Sequence, residues 1–207
     1  MDRKEGPCFS RADVEVTESK LVYQGFFNMR RYRLRHRLVE GGWSKLLERE
    51  CFDRGPSVGV LLYDPYKDVV VLGEQFRIGA LEANEGPWQL EIVAGIVEAG
   101  ETPEDVVHRE AIEEAGSDVL ALEYIYEYYP SPGGSNEKFY LFCGGIDSSN
   151  VGGVHGLAEE GEDIWVQTFP RAEAWQILQE NYIHNAATII ALQWLQMNYQ
   201  RLQQQWQ

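Results

Sequence analysis

Gly95-Ile-Val-Glu-Ala-Gly-Glu101-Thr-Pro-Glu-Asp-Val-Val-His-Arg109-Glu110-Ala-Ile-Glu113-Glu114-Ala-Gly116 reads as a loop, a capped helix and a stop. Thr102 is a good N-cap, Pro103 suits the first helical position, and Asp105 completes a capping box. Gly116 is the residue expected just past a helix end. The pattern predicts a helix over 103–115. Glu110 and Glu114 are four apart, so both carboxylates leave one face, one turn above the other. Glu113 lies on the adjoining edge, four residues after Arg109, with which it can pair. Val107, Ala111 and Ala115 form an apolar row suited to packing on a sheet. Two stacked carboxylates repel, and a hard divalent cation with oxygen ligands removes that penalty.

Upstream, Pro87 and Trp88–Ala94 predict a strand leading straight into this loop. Before it, Ser57 to Tyr63 is an apolar strand, Asp64–Asp68 a turn, and Val69 to Phe76 the returning strand, with Arg77 at its end. Downstream, Val119 to Tyr129 and Phe139 to Cys143 read as strands. Between them lies Ser131-Pro-Gly-Gly-Ser-Asn-Glu137, where glycines let the backbone come close to a ligand and amides can meet phosphate oxygens. Asp147 to Asp163 is Gly-rich, shows little sign of regular structure, and carries four acids at Glu159, Glu160, Glu162 and Asp163. Loops this long in compact domains tend to be lids or binding loops. A strand at Ile164 to Phe169 follows. Two helices, about Arg171 to Glu180 and Ala186 to Gln205, come next, the second capped by Asn185. The Gln-rich end is expected to fray.

Residues 1–54 differ in character, with a domain boundary expected at Gly55-Pro56. Arg31, Arg33, Arg35 and Arg37 alternate with Tyr32, Leu34, His36 and Leu38, the pattern of a strand with one charged face. Glu40-Gly-Gly-Trp43 then makes a hairpin turn into a partner strand at Ser44–Phe52. The arginine row reads as a solvated face offsetting acidic neighbours, with a subunit interface or substrate contact as the alternative.

A chain of 207 residues holds one full core and a smaller appendage. The formal charge of −15 argues against nucleic-acid or anionic-membrane partners and requires metal ions or local arginines to hold an anionic substrate. Cys8, Cys51 and Cys143 are odd in number and widely spaced, so neither a disulfide framework nor a zinc site is indicated. The first seven residues lack a signal-peptide core, and no apolar run approaches a membrane span. A cytoplasmic setting is expected.

Gly95, Glu101, Arg109, Glu110, Glu113, Glu114 and Gly116 match the signature Gly-x5-Glu-x7-Arg-Glu-U-x-Glu-Glu-x-Gly-U, in which U is aliphatic. On these residues the chain resembles the Nudix hydrolases, departing only at Ser117, where an aliphatic residue is usual. Further stretches are similar to the bacterial ADP-ribose pyrophosphatase branch: Gly25-Phe-Phe27, Arg49–Arg54, Ser131–Glu137, Gly156–Ile164 and Asn185–Leu195. The resemblance implies an α/β/α sandwich with a mixed sheet (residues 55–207) and a small N-terminal antiparallel sheet domain (residues 1–54). The N-terminal domain would be exchanged across a homodimer.

The resemblance also implies hydrolysis of the pyrophosphate of ADP-ribose to AMP and ribose 5-phosphate. Mg²⁺, or Mn²⁺ in its place, would be held by the Ala94 carbonyl, Glu110, Glu114 and Glu162. Glu160 would take the proton from the attacking water. Arg109 and Glu113 would support the helix acids, with Glu113 the alternative ligand of an extra ion. Substrate contacts would come from Phe26, Phe27, Arg49, Glu50, Arg54, Arg77, Ser131, Gly133, Glu137 and the Gly134 and Ser135 amides. Three other readings compete. The same chemistry fits another nucleoside diphosphate sugar. A non-catalytic ADP-ribose-binding module, or a metabolite-sensing regulator, lacks a reason for the intact acidic set. A calcium-binding protein is opposed by the absence of any Asp-x-Asp-x-Asp-Gly loop.

Overall fold

A computed structural model describes residues 9–207, the side chain of Glu160 excepted; Cys8 and the first residues, on which the signal-peptide expectation rests, lie outside the described residues. The chain divides into two compact units, one running to Gly55 and taking in Tyr129–Glu137, the other comprising Pro56–Tyr128 and Lys138–Gln207.

The first unit is built on an antiparallel sheet of β1 (Val14–Gln24), β2 (Asn28–His36) and β3 (Leu47–Asp53), in that order. The β2–β3 hairpin pairs Leu34 with Leu47 and Asn28 with Asp53, and turns through Gly41 and Gly42, both at positive φ. β1 went unread in the sequence. Its apolar residues do not alternate cleanly, because register shifts between Val16 and Glu18 and between Leu21 and Tyr23 break the two-residue period. The arginine row is charge-balanced: Arg31 faces Glu48, Arg33 faces Glu18 and Arg35 faces Glu15, while Arg35 and Arg37 flank the Trp43 ring. Exposed pairs of this kind add little stability.

The second unit has a mixed eight-stranded sheet. Its members are β4 (Ser57–Asp64), β5 (Val69–Phe76), β6 (Trp88–Glu91), β7 (Val93–Ile96), β8 (Ala121–Tyr128), β9 (Phe139–Gly145), β10 (Gly153–His155) and β11 (Ile164–Pro170). The main path runs β10-β11-β5-β4-β9-β8, with β6 on β5 and β7 on β4. β4 lies at the centre, parallel to β9 and buried along its whole length. One face is covered by α1 (Pro103–Ala115), whose Val106, Val107, Ala111 and Ala115 join Val58, Val60 and Leu62 in a core. The other face is covered by α2 (Arg171–Gln179) and α3 (Ala186–Trp206), through Ala174, Ala187, Ala191, Leu192, Trp194, Leu195 and Leu202. The second unit is thus an α/β/α sandwich, and the first a small antiparallel sheet. Among the described residues no helix is long and apolar enough to cross a membrane.

Three expectations need correction. The strand expected over Trp88–Ala94 is broken at Ile92, where its pairing passes from β5 to β4 and the Ile92 N–H goes to Thr188 Oγ1 at 3.1 Å. The segment Asp147–Asp163 contains a short strand, β10, paired with β11. No apolar alternation announces it, because an edge strand three residues long is held by its ladder bonds. The Gln-rich tail is helical to Trp206. Trp206 lies against Gly145 and partly packs on the core, while Gln207 bonds the carbonyl of Pro65 and accepts from the Tyr66 hydroxyl. Tertiary anchoring there overrides a tendency to fray.

Candidate active site

The acids of α1 are placed by caps at both ends of that helix. Thr102 Oγ1 accepts from the Asp105 N–H at 3.2 Å, and Asp105 Oδ2 accepts from the Thr102 N–H at 2.9 Å. At the far end Gly116 takes a left-handed φ of 61°, and the Ser117 N–H returns to the Ala111 carbonyl at 3.1 Å. Ser117 is buried there, so a small polar residue serves where an aliphatic one is usual.

With the helix so fixed, Glu114 points inward. It is 3% exposed, and its Oε2 accepts from the Ala94 N–H at 2.9 Å. Glu110 lies against β7, where a Cβ in place of Gly95's hydrogen would overlap the Glu110 carboxylate. Arg109 gathers the neighbouring acids. Its Nε and Nη2 hold Glu101 at 3.0 and 3.2 Å, and its Nη1 reaches Glu110 at 2.7 Å and Glu113 at 3.2 Å. Glu101 is thereby held below the ordinary carboxylate range.

Glu110 and Glu114 both shift the other way from Glu101. Burial raises Glu110 to about 7, with Glu113 and Glu162 adding to the rise and Arg109 opposing it. Burial raises Glu114 to about 8; Glu110 and Glu162 push further, and the Ala94 N–H and Arg77 pull back. Glu162 therefore stands near enough for its charge to be felt by both. Its Oε2 accepts from the Leu157 N–H at 3.1 Å, and the Gly156 N–H ties this loop to the Glu113 carbonyl at 3.3 Å. The Glu160 backbone belongs to a single 3-10 turn, Ala158–Glu160; its side chain lies outside the described residues.

Among the described residues no three His, Cys, Asp or Glu side chains already form a metal-holding group. Each acid is instead turned to a protein donor: Glu114 to Ala94, Glu110 to Arg109 and Glu162 to Leu157. Three mutually repelling carboxylates relax in this way. Hard oxygen donors crowded with too little positive charge are nevertheless the donor set a divalent cation of the Mg²⁺ type takes. The residues fit such an ion, on condition that these side chains turn.

Arg77 sits at the end of β5, its Nε on Glu91 Oε2 at 2.8 Å. Glu91 is 4% exposed and also accepts from Asn185 Nδ2 at 2.9 Å. The sequence offers Asn185 as a cap and as the start of a family-like stretch, and gives Glu91 and Thr188 no role of their own. Nothing short of the folded chain brings β6 to the start of α3.

The remaining predicted residues fall in the first unit, where most of them cluster. Phe27 packs edge-on against Phe26 and Phe52, and the Arg54 guanidinium lies 5.1 Å from the Phe27 ring centre. Arg54 Nη1 meets Glu137 Oε1 at 3.2 Å, and Phe26 is 88% exposed. The Ser131–Glu137 stretch is laid along β3: the Phe52 N–H donates to the Gly134 carbonyl, and the Asn136 N–H to Phe52. The Gly134 and Ser135 amides both donate to the Ser131 carbonyl, so the turn itself engages them; Gly133 has open space on its Cα. Arg49 and Glu50 are exposed on β3 opposite Tyr32 and Arg31.

A NUDIX domain family model matches residues 53–192. The ADP-ribose pyrophosphatase of Escherichia coli (strain K12) is 46% identical over 198 residues, covering 96% of this chain and 95% of that one. The GDP-mannose pyrophosphatase of Pectobacterium atrosepticum is 34% identical over 184 residues, covering 87% and 92%. A solved structure described as an ADP compounds hydrolase superposes with a TM-score of 0.67 over 92% of this chain and 98% of that one, at 17% identity. That last likeness bears on the fold alone.

Proposed function

This chain belongs to the Nudix family of hydrolases, and we propose that it cleaves the pyrophosphate of ADP-ribose to AMP and ribose 5-phosphate with a divalent cation, Mg²⁺ or Mn²⁺. The observation that carries this reading is the acid cluster of Glu110, Glu114 and Glu162, buried enough to raise the first two to about 7 and about 8. Structural ion pairing would lower such values, not raise them.

The Ala94 carbonyl, Glu110, Glu114 and Glu162 would hold the ion. When bound, it supplies positive charge against the doubly anionic pyrophosphate and acidifies nearby water. Arg109 keeps the helix acids pinned through Glu101 and Glu113, and Arg77 adds a fixed cation beside them. Glu160, on the loop ahead of β11, takes the proton as water oxygen bonds to the adenosyl-side phosphorus. The anhydride bond to the far phosphate breaks, and ribose 5-phosphate leaves. The Phe26, Phe27, Arg54 and Glu137 group fits an adenosine moiety, with rings to stack and a charged pair at their edge. Ser131, Gly133, Arg49 and Glu50 complete the proposed substrate contacts. The protein acts in the cytoplasm as a homodimer exchanging residues 1–54, the remaining residues 55–207 carrying the chemistry, with no nucleic-acid or membrane partner.

Incubation with ADP-ribose and Mg²⁺ in ¹⁸O-water tests this directly. Label in AMP is expected; label in ribose 5-phosphate reverses the attacked phosphorus, and no turnover removes the proposal. A second reading, cleavage of another nucleoside diphosphate sugar, is favoured by the likeness to the GDP-mannose enzyme. Faster turnover of GDP-mannose or ADP-glucose than of ADP-ribose would establish it.

A further inference from the structure

Asn185 carries two loads. Its Oδ1 caps α3, accepting from the Thr188 N–H at 3.0 Å and from Thr188 Oγ1 at 3.2 Å. With that oxygen occupied, its Nδ2 is aimed at Glu91 and donates to Oε1 at 2.9 Å. The other Glu91 oxygen receives Arg77 Nε. Thr188 Oγ1 accepts from the Ile92 N–H, the backbone donor freed where pairing passes from β5 to β4. One helix start thus holds the strand break, the buried carboxylate and, through it, the arginine.

The consequence is directional. Glu91 is nearly fully buried, whereas the Arg77 side chain is 42% exposed. A guanidinium fixed at Nε by a buried acceptor is oriented as a plane, and its Nη nitrogens have no hydrogen-bond acceptor among the described residues. Two parallel donors held out in this way match a phosphate edge. Were Glu91 free to rotate, Arg77 would keep its charge and lose its aim.

We propose that Asn185 is a positioning residue for substrate binding, acting through Glu91 to aim the Arg77 guanidinium at the phosphates of the substrate. This rests on the hydrolase reading above and adds a specific residue to it. Residue choice separates the two loads. Asn, Asp and Ser are nearly equal as N-caps. Serine lacks the donor that reaches Glu91, and aspartate presents a like charge to it. Asn185→Ser and Asn185→Asp therefore keep the helix start and remove the link.

Two measurements decide it. The Arg77 Nε–H signal in ¹⁵N NMR, assigned by its absence in Arg77→Ala, is expected to shift and exchange faster in both variants. With Mg²⁺ and ADP-ribose, KM is expected to rise about tenfold in Asn185→Ser, and further in Asn185→Asp, with kcat within about twofold, the pattern of lost uniform binding. In an Arg77→Ala background the added effect of Asn185→Ser should fall below about twofold. An unmoved Nε–H signal, an unchanged KM, or a KM effect that persists without Arg77 each overturns the proposal. If the parent protein does not hydrolyse ADP-ribose, the hydrolase reading falls, and the NMR signal still decides whether Asn185 orients Arg77.

Discussion

Glu114 is nearly buried beside Glu110, within reach of the Glu162 charge, with Arg77 and one backbone N–H to offset it. Its raised value, about 8, and that of Glu110, about 7, lie above those of the unfolded chain, near 4.5. Both carboxyls are protonated in fold and coil alike at low pH, and ionise later in the fold. Their protonation supports the fold fully below about pH 4.5, and that support is lost as pH rises through 7 to 8. Chelated protein should therefore melt roughly 5 °C lower at pH 9 than at pH 6, and added Mg²⁺ should recover more stability at the higher pH, as calorimetry would record. Glu160→Gln should lower kcat about 10²–10⁴-fold while calorimetry still detects ADP-ribose binding with metal. Wild-type turnover in that variant would send the search for a base elsewhere. Glu114→Gln should lose more, since it removes charge from the ion site directly, and a Mg²⁺ titration should recover part of it.

At the level of the element, the short turn between β7 and α1 sets the geometry of the acids. Gly95→Ala places a methyl where the Glu110 carboxylate lies, so β7 and α1 must part or Glu110 must swing away. Activity should fall at least about tenfold while stability drops by about 1–3 kcal/mol, the usual cost of overpacking. Thr102→Ala, which only removes the cap, should cost about 1 kcal/mol and leave kcat within about twofold. Comparing the two separates helix stability from helix placement. The C-terminal helix shows the reverse dependence. Its last turn is poor in apolar residues, yet Trp206 against Gly145 and the Gln207 bonds to Pro65 and Tyr66 hold it. Trp206→Ala should lower the melting temperature by about 4–8 °C, for a loss of about 2 kcal/mol.

For the whole molecule, sedimentation equilibrium should return twice the chain mass of 23.7 kDa, and a monomer would remove the exchanged dimer. How much of this protein is legible before folding depends on the range of each interaction. Caps, turns and the four-residue spacing of Glu110 and Glu114 are local. So α1, the β4–β5 turn and the arginine strand follow from neighbours in the chain. The acidic helix face follows from the same local rules, and with it the expectation of a divalent cation. Other features join residues far apart in sequence: the break at Ile92 held by Thr188, the laying of Ser131–Glu137 along β3, and the anchoring of Trp206. Periodicity cannot announce them, because no short stretch contains both partners. The chain order alone determined which groups could do the chemistry. Only tertiary packing decided how deeply Glu114 is buried and that Asn185 reaches Glu91, because burial and a bond across 94 positions exist only once the sheet and its covering helices have come together.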